Sequence, residues 1–165
     1  LNLISTDSSN GKSYLSQELE NYWISIGLQV RRLTYDEDFL ADDSRFIMST
    51  SIKDLCPDIL PDEIAIVEYP NLNDHSIPSS LLNMGTVNLM VTRANRTWKD
   101  IDQKALKEVQ SQLENQDSLY MYLTESNRYA VEEFVGQLPP YTRFSNFVYR
   151  LSQLGLTATE NNHAS

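Results

Sequence analysis

The sequence has few of the residues on which disulfide-rich, zinc-binding and nucleic-acid-binding proteins depend. It contains one cysteine, Cys56, so no internal disulfide can form and a reducing compartment is expected. Its two histidines, His75 and His163, leave little material for a zinc site. Against 23 acidic residues there are 13 basic ones, and the net charge of −10 argues against binding nucleic acid by neutralising phosphates.

Long apolar runs are also absent. Runs such as residues 64–67 fall far below the roughly 20 residues that a membrane-spanning helix needs. The 165-residue length and the 41% hydrophobic share suit one globular domain with a real core. A chain that begins with Leu1 is expected to be a piece of a longer protein.

Short apolar runs alternate with segments of helical periodicity. The runs predict strands at residues 1–5, 28–35, 64–69, 87–92 and 119–123. The periodic segments predict helices at residues 12–26, 77–84 and 99–113, with a short one around 51–56. This alternation predicts an α/β fold, with a mainly parallel central sheet of about five strands and helices on both faces.

Two further periodic segments follow the last predicted strand, at residues 128–138 and 143–154. We expect a single domain over residues 1–156, in which residues 127–156 form a C-terminal helical extension. The polar tail, residues 157–165, is predicted to be disordered.

Residues 6–13, TDSSNGKS, lie between the first predicted strand and the first predicted helix. A phosphate-binding P-loop has the pattern G-x-x-x-x-G-K-[ST] at that point, where backbone N–H groups and a lysine bind phosphates and the hydroxyl holds magnesium. The second half of the pattern is present, and Thr6 replaces the first glycine. The candidate nucleotide-binding residues are Ser9, Asn10, Gly11, Lys12 and Ser13. The alternative is a solvated helix start, capped by Asn10 or Ser13, with Lys12 exposed.

Carboxylates follow two of the predicted strands, where α/β folds bind ligands. Asp36 follows the second strand and Glu68 ends the buried third strand. Phosphoryl transfer needs such groups to place magnesium, so Lys12, Asp36 and Glu68 are candidate catalytic residues, and Ser13, Asp36 and Glu68 are candidate magnesium ligands. In the alternative, each carboxylate is a strand-end acid in water.

Five stretches resemble, in order and spacing, the bacterial tyrosine kinases (BY-kinases), which are cytoplasmic P-loop domains of capsule and exopolysaccharide chain-length regulators. The stretches are residues 10–13 (NGKS), 33–36 (LTYD), 66–71 (IVEYPN), 89–93 (LMVTR) and 95–98 (NRTW). The resemblance implies a P-loop-NTPase-like fold, with ATP and Mg²⁺ as ligands. It also implies a cytoplasmic domain at the inner membrane of a bacterium, attached to the rest of a membrane-anchored chain. Its implied partners are the polysaccharide export and polymerisation machinery and, in a homo-oligomer, its own copies.

The departures from that family fall on catalytic or substrate positions. Thr6 replaces a glycine, and a β-branched residue held in a glycine-type conformation would cost about 1–3 kcal/mol. Thr34 replaces the first acid of Asp-x-Asp. Glu68 replaces an aspartate and Asn71 a proline. No tyrosine follows Tyr149, whereas the family phosphorylates a C-terminal tyrosine cluster.

These departures favour a degenerate, catalytically inactive regulatory domain of a membrane-anchored polysaccharide biosynthesis and export protein, which need bind neither ATP nor Mg²⁺. One alternative is an active ATP-dependent protein-tyrosine kinase or P-loop ATPase that uses Lys12, Ser13, Asp36 and Glu68. A partition-type ATPase ranks last, because residues 6–8 lack the second lysine that those enzymes need. Arg93 and Arg96 follow a strand end, where they either contact a ligand or subunit or lie on the surface.

Overall fold

The computed structural model describes residues 1–127. Their central sheet has five strands, all parallel, in the order β2-β3-β1-β4-β5. The strands are β1 (Asn2–Ser5), β2 (Val30–Thr34), β3 (Ile64–Asn71), β4 (Asn88–Arg93) and β5 (Leu119–Thr124). The predicted α/β class and five-stranded parallel sheet are therefore confirmed.

The described helices follow the predicted alternation, with one addition. They are α1 (Lys12–Ser25), α2 (Ser44–Ile47), α3 (Ile52–Leu55), α4 (Ser79–Met84) and α5 (Asp100–Gln112). The short helix α2 was not predicted, because its four residues are too few to show a helical period. Within residues 1–127, no helix is both long and apolar enough to cross a bilayer.

Side chains alternate between two cores on opposite faces of the sheet. Ile4 and its neighbours pack with residues of α2, α4 and α5, as Phe46, Leu82 and Val109 show. Leu3, one position earlier, packs with Leu15 of α1 in the second core. Helices thus cover both faces, as the sequence predicts.

The helical period of residues 12–26 predicts an inner face of Leu15, Leu19, Tyr22, Trp23 and Ile26, and the structure contradicts that face at Tyr22 and Ile26. Tyr22 and Ile26 are 61% and 56% exposed, although their spacing matches that of Leu15. Only the beginning of α1 lies deep against the sheet, and its later turns border an open apolar groove lined by Leu19 and Trp23. Helical period identifies a face, but it does not show how far along the helix the sheet extends.

Strand β3 runs past its predicted end at Tyr69 to Asn71. Its pairing with β2 ends where Thr34 lies opposite Glu68. Pro70, which has no backbone N–H, therefore lies beyond the part of β3 that must donate hydrogen bonds to β2. Residues 1–125 form one compact unit. The predicted helical extension, residues 127–156, and the predicted tail, residues 157–165, lie outside the described residues except for residue 127.

Candidate functional site

The loop from β1 to α1, residues 6–13, is held by local hydrogen bonds. Asp7 accepts hydrogen bonds from the N–H of Ser9 at 3.0 Å and from its hydroxyl at 3.1 Å, which starts a 3₁₀ turn at Ser8–Asn10. Gly11 follows with φ of 84°, in the left-handed region that glycine adopts at no steric cost. No described side chain caps α1, so its first N–H groups remain available at the carboxyl edge of the sheet.

Lys12 is the first residue of α1, and its side chain is buried. It is 8% exposed, and its ammonium group donates a hydrogen bond to the hydroxyl of Ser5 at the end of β1. Burial lowers the pKa of Lys12 to about 8, although the charges of Glu68 and Asp7 partly oppose the shift. The alternative of a solvated helix start is wrong on both structural points, since Lys12 is not exposed and neither Asn10 nor Ser13 caps α1.

Glu68 lies in β3 and is 2% exposed. Ser13 donates its hydroxyl to Oε2 at 2.8 Å, and Ser16 donates its hydroxyl to Oε1. The guanidinium of Arg32 also donates to Oε1, at 3.2 Å. Both carboxylate oxygens are therefore engaged by groups of this chain.

Thr6 is buried but carries no left-handed backbone strain. The only described residues other than glycine with positive φ are Asp36 and Glu125. The hydroxyl of Thr6 accepts a hydrogen bond from Arg96 at 3.3 Å, and Arg96 also binds both oxygens of buried Asp102, at 2.8 and 3.0 Å. The expected cost of a threonine in a glycine conformation therefore does not arise.

Asp102 connects this loop to α5. Burial raises the pKa of Asp102, but hydrogen bonds from Thr6 and the N–H of Lys99, together with Arg96, outweigh that effect and lower it overall. Asp102 also accepts the N–H of Lys99 at 2.9 Å, which closes the first turn of α5. Residues 6–13 are thus tied to α5 by charge and by hydrogen bonds.

A cleft of about 360 Å³ opens at the carboxyl edge of β1, β2 and β3. Four of the predicted site residues line it: Lys12, Ser13, Asp36 and Glu68. The other three, Ser9, Asn10 and Gly11, belong to the adjoining loop and are not among the lining residues. The structure therefore brings the predicted lysine, hydroxyl and carboxylates to one cleft.

Asn10 is fully buried behind the loop. Its backbone carbonyl accepts a hydrogen bond from the Thr124 hydroxyl at 3.1 Å. The amide of its side chain has no hydrogen-bond partner among the described residues. A substituent on neighbouring Gly11 would meet the methyl group of Thr124 at 3.4 Å. Strand β5 therefore supports the loop from behind.

The donor set does not match a magnesium site. Mg²⁺ requires near-octahedral oxygen ligands, and Glu68 already uses both oxygens for hydrogen bonds and an ion pair. Asp36 is exposed in a turn with φ of 72°. Thr34 lies opposite Glu68 in the sheet and brings a hydroxyl, not a carboxylate, to the cleft. Among residues 1–127, no cluster of three histidine, cysteine or acidic residues is arranged to hold a metal ion.

Three groups that shape the site were not predicted to do so. Ser16 follows Ser13 by three residues, the spacing that places two side chains on one helix face. Arg32 shares a sheet face with Glu68, which becomes evident only when Thr34 is known to pair with Glu68. The sequence does not distinguish Asp102, because acidic residues are common in the first turn of a helix whether they are buried or exposed.

Comparison with family models, curated proteins and solved structures gives no match for this chain.

Proposed function

We propose that this domain binds the phosphate groups of a nucleotide-class ligand in the cleft at the carboxyl edge of the sheet, and that it does not catalyse phosphoryl transfer. One observation carries the proposal. Left-handed Gly11 turns the chain into α1, so that the uncapped helix start and the buried ammonium of Lys12 belong to one cleft. Backbone N–H groups at a helix N-terminus together with a lysine suit a phosphate.

The size of the cleft supports the same ligand class. Its volume of about 360 Å³ is at the lower end for small-molecule sites. Tyr35 and His75 also line it, with ring centroids 5.8 Å apart, and they offer aromatic surface beside the phosphate position. The parallel sheet with the loop following its central strand supports a P-loop-NTPase-like fold.

The electrostatics of the cleft support an inactive domain. Phosphoryl transfer depends on positioned positive charge and on carboxylates that place metal and nucleophile. Thr34 supplies no carboxylate, and Glu68 is held in an ion pair with Arg32, which it shares with Glu20. Loss of one preorganised group typically costs about 10²–10³ in rate. An active kinase or ATPase is the alternative that the experiment below excludes or establishes.

The resemblance to BY-kinases supplies the proposed setting. By analogy with that family, we propose that the domain is a regulatory module on the cytoplasmic side of a bacterial inner membrane. It belongs to a membrane-anchored polysaccharide biosynthesis and export protein and acts on the export and polymerisation machinery, either as a monomer or as a homo-oligomer.

Calorimetric titration with ATP tests the proposed site. We expect saturable binding by the wild type, weakened at least about tenfold by Lys12→Ala, because a charge-assisted hydrogen bond contributes about 1.5–3 kcal/mol. Lys107→Ala, which removes an exposed lysine of α5, is the matched control and should bind as the wild type does.

Three outcomes would contradict the proposal, and the first is that the wild type does not bind ATP. Equal affinity of the wild type and Lys12→Ala for ATP would show that the phosphate groups do not bind at Lys12 in this cleft. Phosphotyrosine detected by mass spectrometry after incubation with Mg-ATP, and lost in Lys12→Ala, would show an active kinase instead.

A further inference from the structure

The environment of Glu68 differs from that of a carboxylate prepared for a divalent cation. Its Oε1 accepts from both Ser16 and Arg32, and its Oε2 accepts from Ser13. Three donors therefore converge on a side chain that is 2% exposed. Each of them is a group of this chain, fixed by α1 or by β2.

Arg32 is the charged member of this set. It lies on the α1 face of β2, where its Nη1 is 3.2 Å from Oε1 of Glu68 and its Nε is 3.2 Å from Oε2 of Glu20. A guanidinium group stays protonated at every physiological pH. Glu68 is therefore paired with a permanent positive charge on the side away from the cleft.

A cation that used Glu68 would have to displace this charge or bind beside it. Displacement would leave Arg32 without one of its two carboxylates and Glu68 without a buried ion pair, which is costly. Binding beside it would place a dication next to a guanidinium and next to Lys12, which lines the same cleft. Both alternatives disfavour coordination of a dication by Glu68, and the other two carboxylates that line the cleft, Asp36 and Asp74, belong to no cluster within residues 1–127 that is arranged to hold a metal ion.

A phosphate group meets the opposite situation. Lys12 and the uncapped start of α1 carry positive charge or partial positive charge. Glu68 is held in an ion pair by Arg32, and the lining carboxylates that form no ion pair among the described residues, Asp36 and Asp74, lie outside the loop of residues 6–13. The donors needed for a phosphate are in place without a metal ion.

From these contacts we infer that the cleft binds its phosphate-bearing ligand without a divalent cation, and that Arg32 is the positioning residue that makes this so. This inference rests on the proposed phosphate-binding function. Arg32 acts through Glu68: it holds Oε1 of that carboxylate in an ion pair, while Oε2 accepts the hydroxyl of Ser13.

The test compares affinities for ATP in excess magnesium and in EDTA, and adds a titration with Mn²⁺ alone. For the wild type we expect affinities within about threefold of each other and no uptake of Mn²⁺. Arg32→Gln releases Glu68, so this variant should bind Mn²⁺ and should bind ATP at least about tenfold more tightly with magnesium than without it.

Arg31→Gln is the matched control. Arg31 is the neighbouring residue of β2, but it pairs with Glu63 and Asp58. This variant should behave as the wild type does. Arg32→Lys, which keeps a charge, should remain independent of magnesium.

The outcomes separate this inference from the function on which it rests. Wild-type binding that requires magnesium, or that is accompanied by Mn²⁺ uptake, overturns the inference and leaves phosphate binding intact. Absence of ATP binding in both conditions overturns both. If Arg32→Gln does not fold by circular dichroism, the wild-type comparison and the Mn²⁺ titration decide alone.

Discussion

Two buried carboxylates flank the loop of residues 6–13, and each is paired with an arginine. Glu68 on the β3 side has Arg32, and Asp102 on the α5 side has Arg96. They differ in what remains if the carboxylate is lost. Arg32 keeps Glu20 at 3.2 Å, whereas the nearest other carboxylate of Arg96 is Asp7, at 3.7 Å.

The difference assigns separate roles to the two pairs. The Glu68 pair sets the charge of the cleft, because its carboxylate faces Lys12 and Ser13 across the site. The Asp102 pair fixes the backbone, because it joins the loop to the first turn of α5 through Thr6 and Lys99. Arg32 therefore affects the charge that a ligand meets in the cleft, whereas Arg96 stabilises the loop against α5.

Removal of Asp102 should have the largest effect on stability. Asp102→Ala leaves partly buried Arg96 without its main partner and removes the carboxylate that accepts the N–H of Lys99 at the start of α5, so we expect a loss of about 3 kcal/mol in the free energy of unfolding. Glu68→Ala should cost less, because Arg32 retains Glu20. Urea unfolding followed by circular dichroism measures both.

Asp100→Ala provides the control for Asp102→Ala. Asp100 is an exposed acid in the same first turn of α5, and its loss should change stability by no more than about 0.5 kcal/mol. The comparison between the two pairs fails if Glu68→Ala destabilises the domain more than Asp102→Ala does.

A third buried charge, Lys12, sharpens the comparison because it forms no ion pair within 4 Å with a carboxylate of the described residues. Its pKa falls from 10.5 to about 8 on folding. Below about pH 8 Lys12 is charged in both the folded and the unfolded state, so burying the charge lowers the free energy of unfolding by about 3 kcal/mol. Between about pH 8 and 10.5 the unfolded chain binds the extra proton, so stability rises with pH.

Lys12→Met should therefore be more stable than the wild type at neutral pH, by up to about 3 kcal/mol, with a gap that narrows towards pH ~10. The difference between the two proteins cancels other alkaline titrations, such as that of Tyr69, whose phenol pKa is raised by burial. Urea unfolding in phosphate-free buffer measures this difference in the free energy of unfolding. A gap that stays constant over this range would contradict the lowered pKa.

Local pattern was sufficient to predict the sheet, its helices other than α2, and the meeting of Lys12, Ser13, Asp36 and Glu68 in one cleft. These features depend on strand alternation and on the rule that parallel strands end at the same edge. The partners of Glu68 and Thr6 depend on register and on contacts across 36 and 90 positions of sequence. No local period encodes such distances, and so Arg32, Ser16 and Asp102 could not be assigned.

Thr6 gives the smallest expected effect, and it tests whether its place in the loop is a loss or an adaptation. Its hydroxyl accepts a hydrogen bond from Arg96 at 3.3 Å, so Thr6→Val should remove this bond, keep the shape of the side chain and cost about 1 kcal/mol. Thr6→Gly should cost more, because it also removes buried methyl surface and loosens the unfolded chain. If Thr6→Gly instead stabilised the domain, the threonine would be a strained remnant of a glycine site. In thermal and urea unfolding we expect stability to decrease in the order wild type, Thr6→Val, Thr6→Gly, because Thr6 is held by Arg96, which is itself paired with Asp102.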